Sequence, residues 1–224
     1  MSALAQNLHQ NLRMLAATGV GHTSPMKPSR MEAFSDGVFA VAITLLVFNL
    51  KVPEVSAGHL SNSLGSQWPS YVAYVISFLS IGVCWVNHHS ILDRVAMVDR
   101  NLLFTNLGLL LGIVSIPFTT SLAATWFNQG SNAKLAVGIY CANWVYVSGF
   151  FMLTIHHLMD HEHLSSSATG TTLKSLWRKG YIGVISYLSA TLCALFYPVV
   201  AFSICLILAA YYVFGVAEEV SNKD

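Results

Sequence analysis

Few side chains in this sequence are placed to do chemistry, and the most informative lie together. Arg30, Ser35 and Asp36 open the stretch Arg30–Leu50, RMEAFSDGVFAVAITLLVFNL, which is otherwise mostly apolar. Asp36 is the only acid deep inside a long apolar run. A carboxylate exposed to lipid costs about 2.5–3.5 kcal/mol on insertion scales, so Asp36 must face protein or a water-filled path. Two roles fit: a brace for helix packing, or a group beside a route for ions. At about 1.5 Å of rise per helical residue, Asp36 stands roughly 9 Å along the axis from Arg30.

Histidine supplies the other candidates. His88 and His89 end an apolar run, but neighbouring residues on a helix diverge by about 100° and do not share a face. Zinc sites on helices want i, i+4 spacing, so no metal is expected from this pair. His156, His157, His161 and His163 cluster with Asp160 and Glu162. His157 and His161 have the i, i+4 spacing of a zinc or proton-sensing site, yet the segment runs into Ser165-Ser166-Ser167-Ala168-Thr169-Gly170 and reads as a solvated polar loop. No G-x-x-x-x-G-K-[ST], G-x-S-x-G or H-E-x-x-H occurs, and Asp36 has no second intramembrane carboxylate to pair with for aspartyl-type proteolysis. The chain is not expected to be an enzyme or to carry a cofactor.

The elements that must position these groups are membrane helices. Of 224 residues 54% are hydrophobic and only 9% charged, against about 25% charged in soluble domains. A net charge of +1 gives no basic surface for nucleic acid. The four cysteines, Cys84, Cys141, Cys193 and Cys205, lie in apolar stretches without C-x-x-C spacing, so they suggest neither a zinc site nor a disulfide framework. Six apolar spans are predicted, near residues 32–50, 69–87, 101–125, 134–157, 179–196 and 199–216, each close to the roughly 17–25 residues of a crossing helix. The last two are separated at Tyr197-Pro198, where a tight turn is expected rather than one long helix.

Loop charges agree with six. Arg13, Lys27, Arg30, Arg94, Arg100, Lys174, Arg178, Lys179 and Lys223 fall on one side and only Lys51 and Lys134 on the other. By the positive-inside rule both termini are cytoplasmic. Residues 1–29 form a polar N-terminal segment, 30–217 the membrane domain and 218–224 a tail. Leu4, Leu8, Leu12 and Leu15 suggest a short amphipathic helix in the first segment. Thr18-Gly19-Val20-Gly21 reads as linker, and the N-terminus lacks the apolar core of a secretory signal.

Phe34, Val38, Val41, Leu45 and Phe48 recur at helical spacing along the first span, with Thr44 beside them. The second span ends in Trp85-Val86-Asn87-His88. The third opens Asp99-Arg100-Asn101-Leu102-Leu103, holds Asn106 in its first turns and contains Pro117-Phe118. Pro117 removes a backbone hydrogen bond and should kink the helix. Asn106 is expensive in lipid and should bond to a neighbouring helix, worth about 0.6–2 kcal/mol.

The R-x-x-x-F-S-D of Arg30, Phe34, Ser35 and Asp36, the Trp85/His88 pair and the third-span pattern together resemble the transmembrane protein 175 family. These are potassium-permeable channels of bacteria and of endosomal and lysosomal membranes. The resemblance runs from about Arg30 to Ala217 and implies an all-α membrane protein. Its first helices would line a central pore in a homotetramer, since the chain holds one copy of the unit. It implies apolar constrictions at Val41, Leu45 and Phe48 and a selectivity layer at Thr44. It also implies a network of Arg30, Phe34, Ser35, Asp36, Trp85 and His88 pinning the pore base, and location in a bacterial plasma membrane. Val41 and Phe48 depart in size from the leucine or isoleucine common in the family, which bears on where the gate lies. Apolar rings gate by dewetting, and hydroxyls replace only part of an ion's hydration shell, so a modest preference for potassium over sodium is expected. If His88 joins the network, its protonation near its reference pKa of about 6.5 would perturb conduction. Two other classes stay open: a proton-coupled transporter using Asp36 and His88, and a non-conducting membrane scaffold. Inverted repeats and broken helices, which would favour the transporter, are not detected.

Overall fold

The computed structural model describes residues 27–54, 58–161, 164 and 170–221. The predicted amphipathic helix, the Thr18–Gly21 linker, Glu162, His163 and the serine run 165–167 lie outside the described residues. So does the end of the tail.

The first helix, α1, spans Pro28–Leu45 and tightens into a 3-10 turn at Leu46–Asn49. Pro28 sits in its first turn, where a missing N–H leaves no helical bond unmade. A short helix α2, Leu60–Ser66, precedes α3, Trp68–Leu92, which again carries a proline in its first turn. Helix α4 covers Arg100–Trp126 and contains Pro117. Its N-cap is Asp99, whose carboxylate accepts from the Leu102 N–H at 2.7 Å. Gly130, with φ of +56°, turns the chain into α5, Ser131–Asp160. Helices α6, Gly170–Ala194, and α7, Pro198–Ser221, are separated at the predicted break before Pro198.

Among the described residues the fold is thus all-α, and four helices are long and apolar enough to cross a membrane by length and composition. These are α1 with its 3-10 turn, α3, α4 and α5. The other two expected spans, near 179–196 and 199–216, fall on α6 and α7. Helix α6 carries Lys174, Arg178 and Lys179 in its first half, and α7 is apolar over its described side chains, Pro198–Phe214. The fourth span is longer than predicted. Helix α5 continues to Asp160, so His156 and His157 belong to its last turns and not to a loop.

Helix α1 packs on α3 and α4, α5 lies between α4 and α6, and α7 closes against α6 and α3. The larger core joins Phe39, Ala42 and Leu46 of α1 to residues such as Ile76, Ile113, Tyr140 and Phe202. A smaller core gathers Met31, Ile91, Leu92, Leu102 and Leu158 at the end where α1 begins. Between apolar helices in lipid, close van der Waals fit replaces the hydrophobic drive, and small residues permit it. Gly108 and Gly112 on α4 supply that fit. A Cβ on Gly108 would overlap the Phe150 ring, and one on Gly112 would meet Val147 Cγ2 at 2.7 Å and Tyr146 Cδ1 at 2.8 Å. Asn143 of α5 reinforces the approach, donating to the Gly112 carbonyl at 3.1 Å.

Candidate functional site

The spacing of α1 gives it two opposed faces. Met31, Ser35, Phe39, Ala42 and Leu46 recur at three- and four-residue intervals and are buried against the rest of the chain. The other face is left open by the single chain: Phe34 is 56% exposed, Val41 55%, Leu45 42% and Phe48 76%. Thr44 is exposed on the same face, whereas Val38 sits at its edge, packed against the larger core. The Thr44 hydroxyl donates back to its own helix, 2.9 Å from the Ala40 and Val41 carbonyls. With its proton turned inward, the oxygen presents lone pairs outward.

Two separate links hold the base of α1. In the first, Ser35 Oγ donates to the Met31 carbonyl at 2.8 Å and accepts from Asn106 Nδ2 at 3.0 Å. Asn106 Oδ1 lies 2.8 Å from His88 Nε2. Each step fixes the next: Ser35 has given its proton to the backbone, Asn106 must donate to it, and His88 must donate to Asn106. His88 therefore carries its proton on Nε2. All three side chains are buried. Among the described residues His88 Nδ1 has no hydrogen-bond partner, and the ring sits against Phe39 at 5.3 Å and Phe151 at 6.3 Å between centroids.

The second link is the Trp85 indole N–H, which donates to Asp36 Oδ1 at 2.9 Å. Trp85 and His88 are three apart on α3, so one helix face serves both links. The expected single cluster is divided for a geometric reason. Ser35 and Asp36 are consecutive, so they diverge by about 100° and cannot meet one partner. Asp36 consequently bonds to Trp85 rather than His88, and it is half-buried rather than sealed in the core. Arg30 is exposed and, among the described residues, its side chain joins neither link. Phe34 points away on the open face. Asn106, expected to bond to a neighbouring helix, bonds to two and bridges α3 and α1. Its place in the first turns of α4 was visible in the sequence, but its partners were not.

Pro117 also connects to α1. Its carbonyl accepts from Asn49 Nδ2 at 3.2 Å, tying the end of the 3-10 turn to mid-α4. On the same end as the links, His157 Nε2 lies 2.9 Å from Asp99 Oδ2. His157 is 13% exposed at the side chain, so it is not the solvated loop residue the sequence suggested. Its ring lies 4.4 Å from that of His161 between centroids. Partial burial pushes the Asp99 carboxyl up, but the Leu102 N–H, the hydrogen bond from His157 and the nearby His157 and His161 charges outweigh it. The net effect holds Asp99 below the ordinary aspartate value.

The family described as endosomal/lysosomal potassium channel TMEM175 matches residues 30–117. A potassium channel of Streptomyces collinus is 45% identical over 136 residues, which are 60% of this chain and 66% of that protein. A potassium channel of Chamaesiphon minutus is 37% identical over 188 residues, covering 82% of this chain and 92% of the relative. The crystal structure of a lysosomal potassium-selective channel TMEM175 homolog from Chamaesiphon minutus superposes with a TM-score of 0.76 at 34% identity. The match covers 84% of this chain and 96% of that one.

Proposed function

This chain belongs to the TMEM175 family, and on that footing we propose that it is a potassium-permeable channel. Four copies would surround a pore lined by α1. The observation that carries this reading is the two-sided character of α1. One face is buried and pinned at its base through Ser35 and Asp36, while the other leaves Val41, Thr44, Leu45 and Phe48 open along one line. One chain supplies one such face, and closing a path around an ion requires symmetric copies.

In this arrangement Val41, Leu45 and Phe48 form apolar rings that exclude water until the helices separate. Thr44 forms a ring of hydroxyl oxygens whose protons are already engaged by the backbone, so lone pairs face the ion. A hydroxyl ring offers fewer ligands than a full carbonyl cage, so discrimination between potassium and sodium is modest. The chain crosses the membrane six times with both termini in the cytoplasm, α6 and α7 supplying the last two crossings, and resides in a bacterial plasma membrane. The proton-coupled transporter reading would need Asp36 and His88 to exchange a proton. They belong to different links, one bonded to Trp85 and the other to Asn106, and this argues against it.

Rubidium uptake into liposomes containing the purified protein tests the proposal. Wild type conducts, Thr44→Ala conducts with a lower preference for potassium over sodium, and Leu45→Ala leaks under conditions that close wild type. Liposomes that never take up rubidium, or a Thr44→Ala variant of unchanged selectivity, would remove the assignment.

A further inference from the structure

Beside the Trp85–Asp36 link, three side chains able to ligate a metal converge from two helices. His89 lies in the last turn of α3 and Asp93 caps it, so the two stand at i, i+4 on one helical face. Glu32, in the first turns of α1, meets them from across the helix pair. His89 Nδ1 is 2.9 Å from Glu32 Oε1, and His89 Nε2 is 3.6 Å from Asp93 Oδ2. One ligand atom from each residue can be chosen so that all lie within 4.8 Å of one another. Nitrogen and oxygen ligands bind zinc at about 2.0–2.2 Å, so around one tetrahedral ion they lie about 3.3–3.6 Å apart. Glu32 faces Nδ1 and Asp93 faces Nε2 of His89, so one carboxylate must change rotamer to join the other on the ligating nitrogen's side.

Two further observations favour a cation here. The His89 ring is held by stacking on Trp85, with centroids 6.0 Å apart and planes 23° apart, so its orientation is built in. Neither carboxylate has a Lys or Arg partner among the described residues. The nearby Arg94 guanidinium is bonded instead to the Ser90 carbonyl. Two carboxylates therefore share one imidazole, which is charged only when protonated. A divalent ion would neutralise both carboxylates and bind the neutral ring. The open side of the cluster leaves room for waters to complete the coordination.

We propose that Glu32, His89 and Asp93 form a site for a divalent transition metal of the zinc class, which ties the first turns of α1 to the end of α3. Mixed imidazole and carboxylate ligation suits zinc or cobalt, whereas calcium and magnesium favour all-oxygen sets. The sequence expectation of no metal considered His88 with His89, and those two do diverge: His88 faces the core and His89 faces outward. The productive spacing is His89 with Asp93, and Glu32 becomes visible only in three dimensions. The site does not depend on conduction.

The test uses full-length, tag-free protein in detergent. Cobalt binding is followed by visible absorption, zinc binding by competition with a chelator, and thermal unfolding is recorded with and without zinc. Wild type should bind one ion per chain and unfold at a higher temperature with zinc, because an ion that binds only the folded chain stabilises it. His89→Ala and Asp93→Asn should each lose affinity at least ~10-fold, since even outer-shell partners of a metal are worth 10–100-fold. Both should also lose the thermal shift. His157→Ala should keep both responses, which separates this site from the histidines at the end of α5. Wild type that binds neither metal at tens of micromolar would overturn the proposal. So would His89→Ala and Asp93→Asn variants that fold and retain wild-type affinity, or binding lost with His157→Ala.

Discussion

Asn106 holds two helices to a third with one amide, and the direction of its bonds leaves no slack. Removing it strands the Nε2–H of His88 in a buried site, a loss of about 1–3 kcal/mol. Asn106→Ala is therefore expected to lower the unfolding temperature in detergent. A double-mutant cycle with His88→Ala should show coupling of about 0.6–1.7 kcal/mol, the range of hydrogen bonds between membrane helices. Additive losses would mean that the relay carries no joint energy. Asp99 makes a pH-dependent case. Its carboxyl is held below the ordinary value, so its contribution is fully present above pH 3.8, the unperturbed value, and fades as pH falls through the lowered one. Asp99→Ala should cost about 1 kcal/mol through the lost N-cap. Asp99→Asn should keep most of the cap while flattening the acid limb of the stability profile. An Asp99→Asn variant with the wild-type acid limb would show that other groups set it.

Among elements, the contact of α4 with α5 depends on the glycines of Gly108-Leu109-Leu110-Leu111-Gly112. Gly112→Leu places a side chain where Val147 and Tyr146 already stand. A destabilisation of about 1–3 kcal/mol is expected from overpacking, read as reduced thermal stability of the purified protein. Unchanged stability would mean that the two helices separate readily. The tight seat of Gly108 and Gly112 is not legible in the sequence, whereas the apolar runs, the break at Pro198 and the stripe of α1 are. Those features repeat within one helix and need no knowledge of a neighbour. What could not be read was how each helix is rotated about its own axis relative to the next. That rotation decides that Ser35 meets Asn106, that Asp36 meets Trp85, that Arg30 remains outside, and that His157 reaches Asp99. Histidines beside a serine-rich run look polar in the sequence, although the helix carries His156 and His157 through its last turns with one face covered.

At the scale of the whole molecule, a bundle pinned on one side of α1 leaves its other side open. The exposed phenylalanine and valine of that face suit contact with lipid or with further copies equally well in an isolated chain, and membership of a channel family favours copies. In the proposed assembly symmetry would set the function, because stacked rings exist only where equivalent residues meet. A density map of the protein reconstituted in lipid nanodiscs tests this most directly. The account predicts four chains with α1 innermost and Val41, Thr44, Leu45 and Phe48 turned toward a shared axis. Monomers, or an assembly with α1 on its outer rim against lipid, would contradict it.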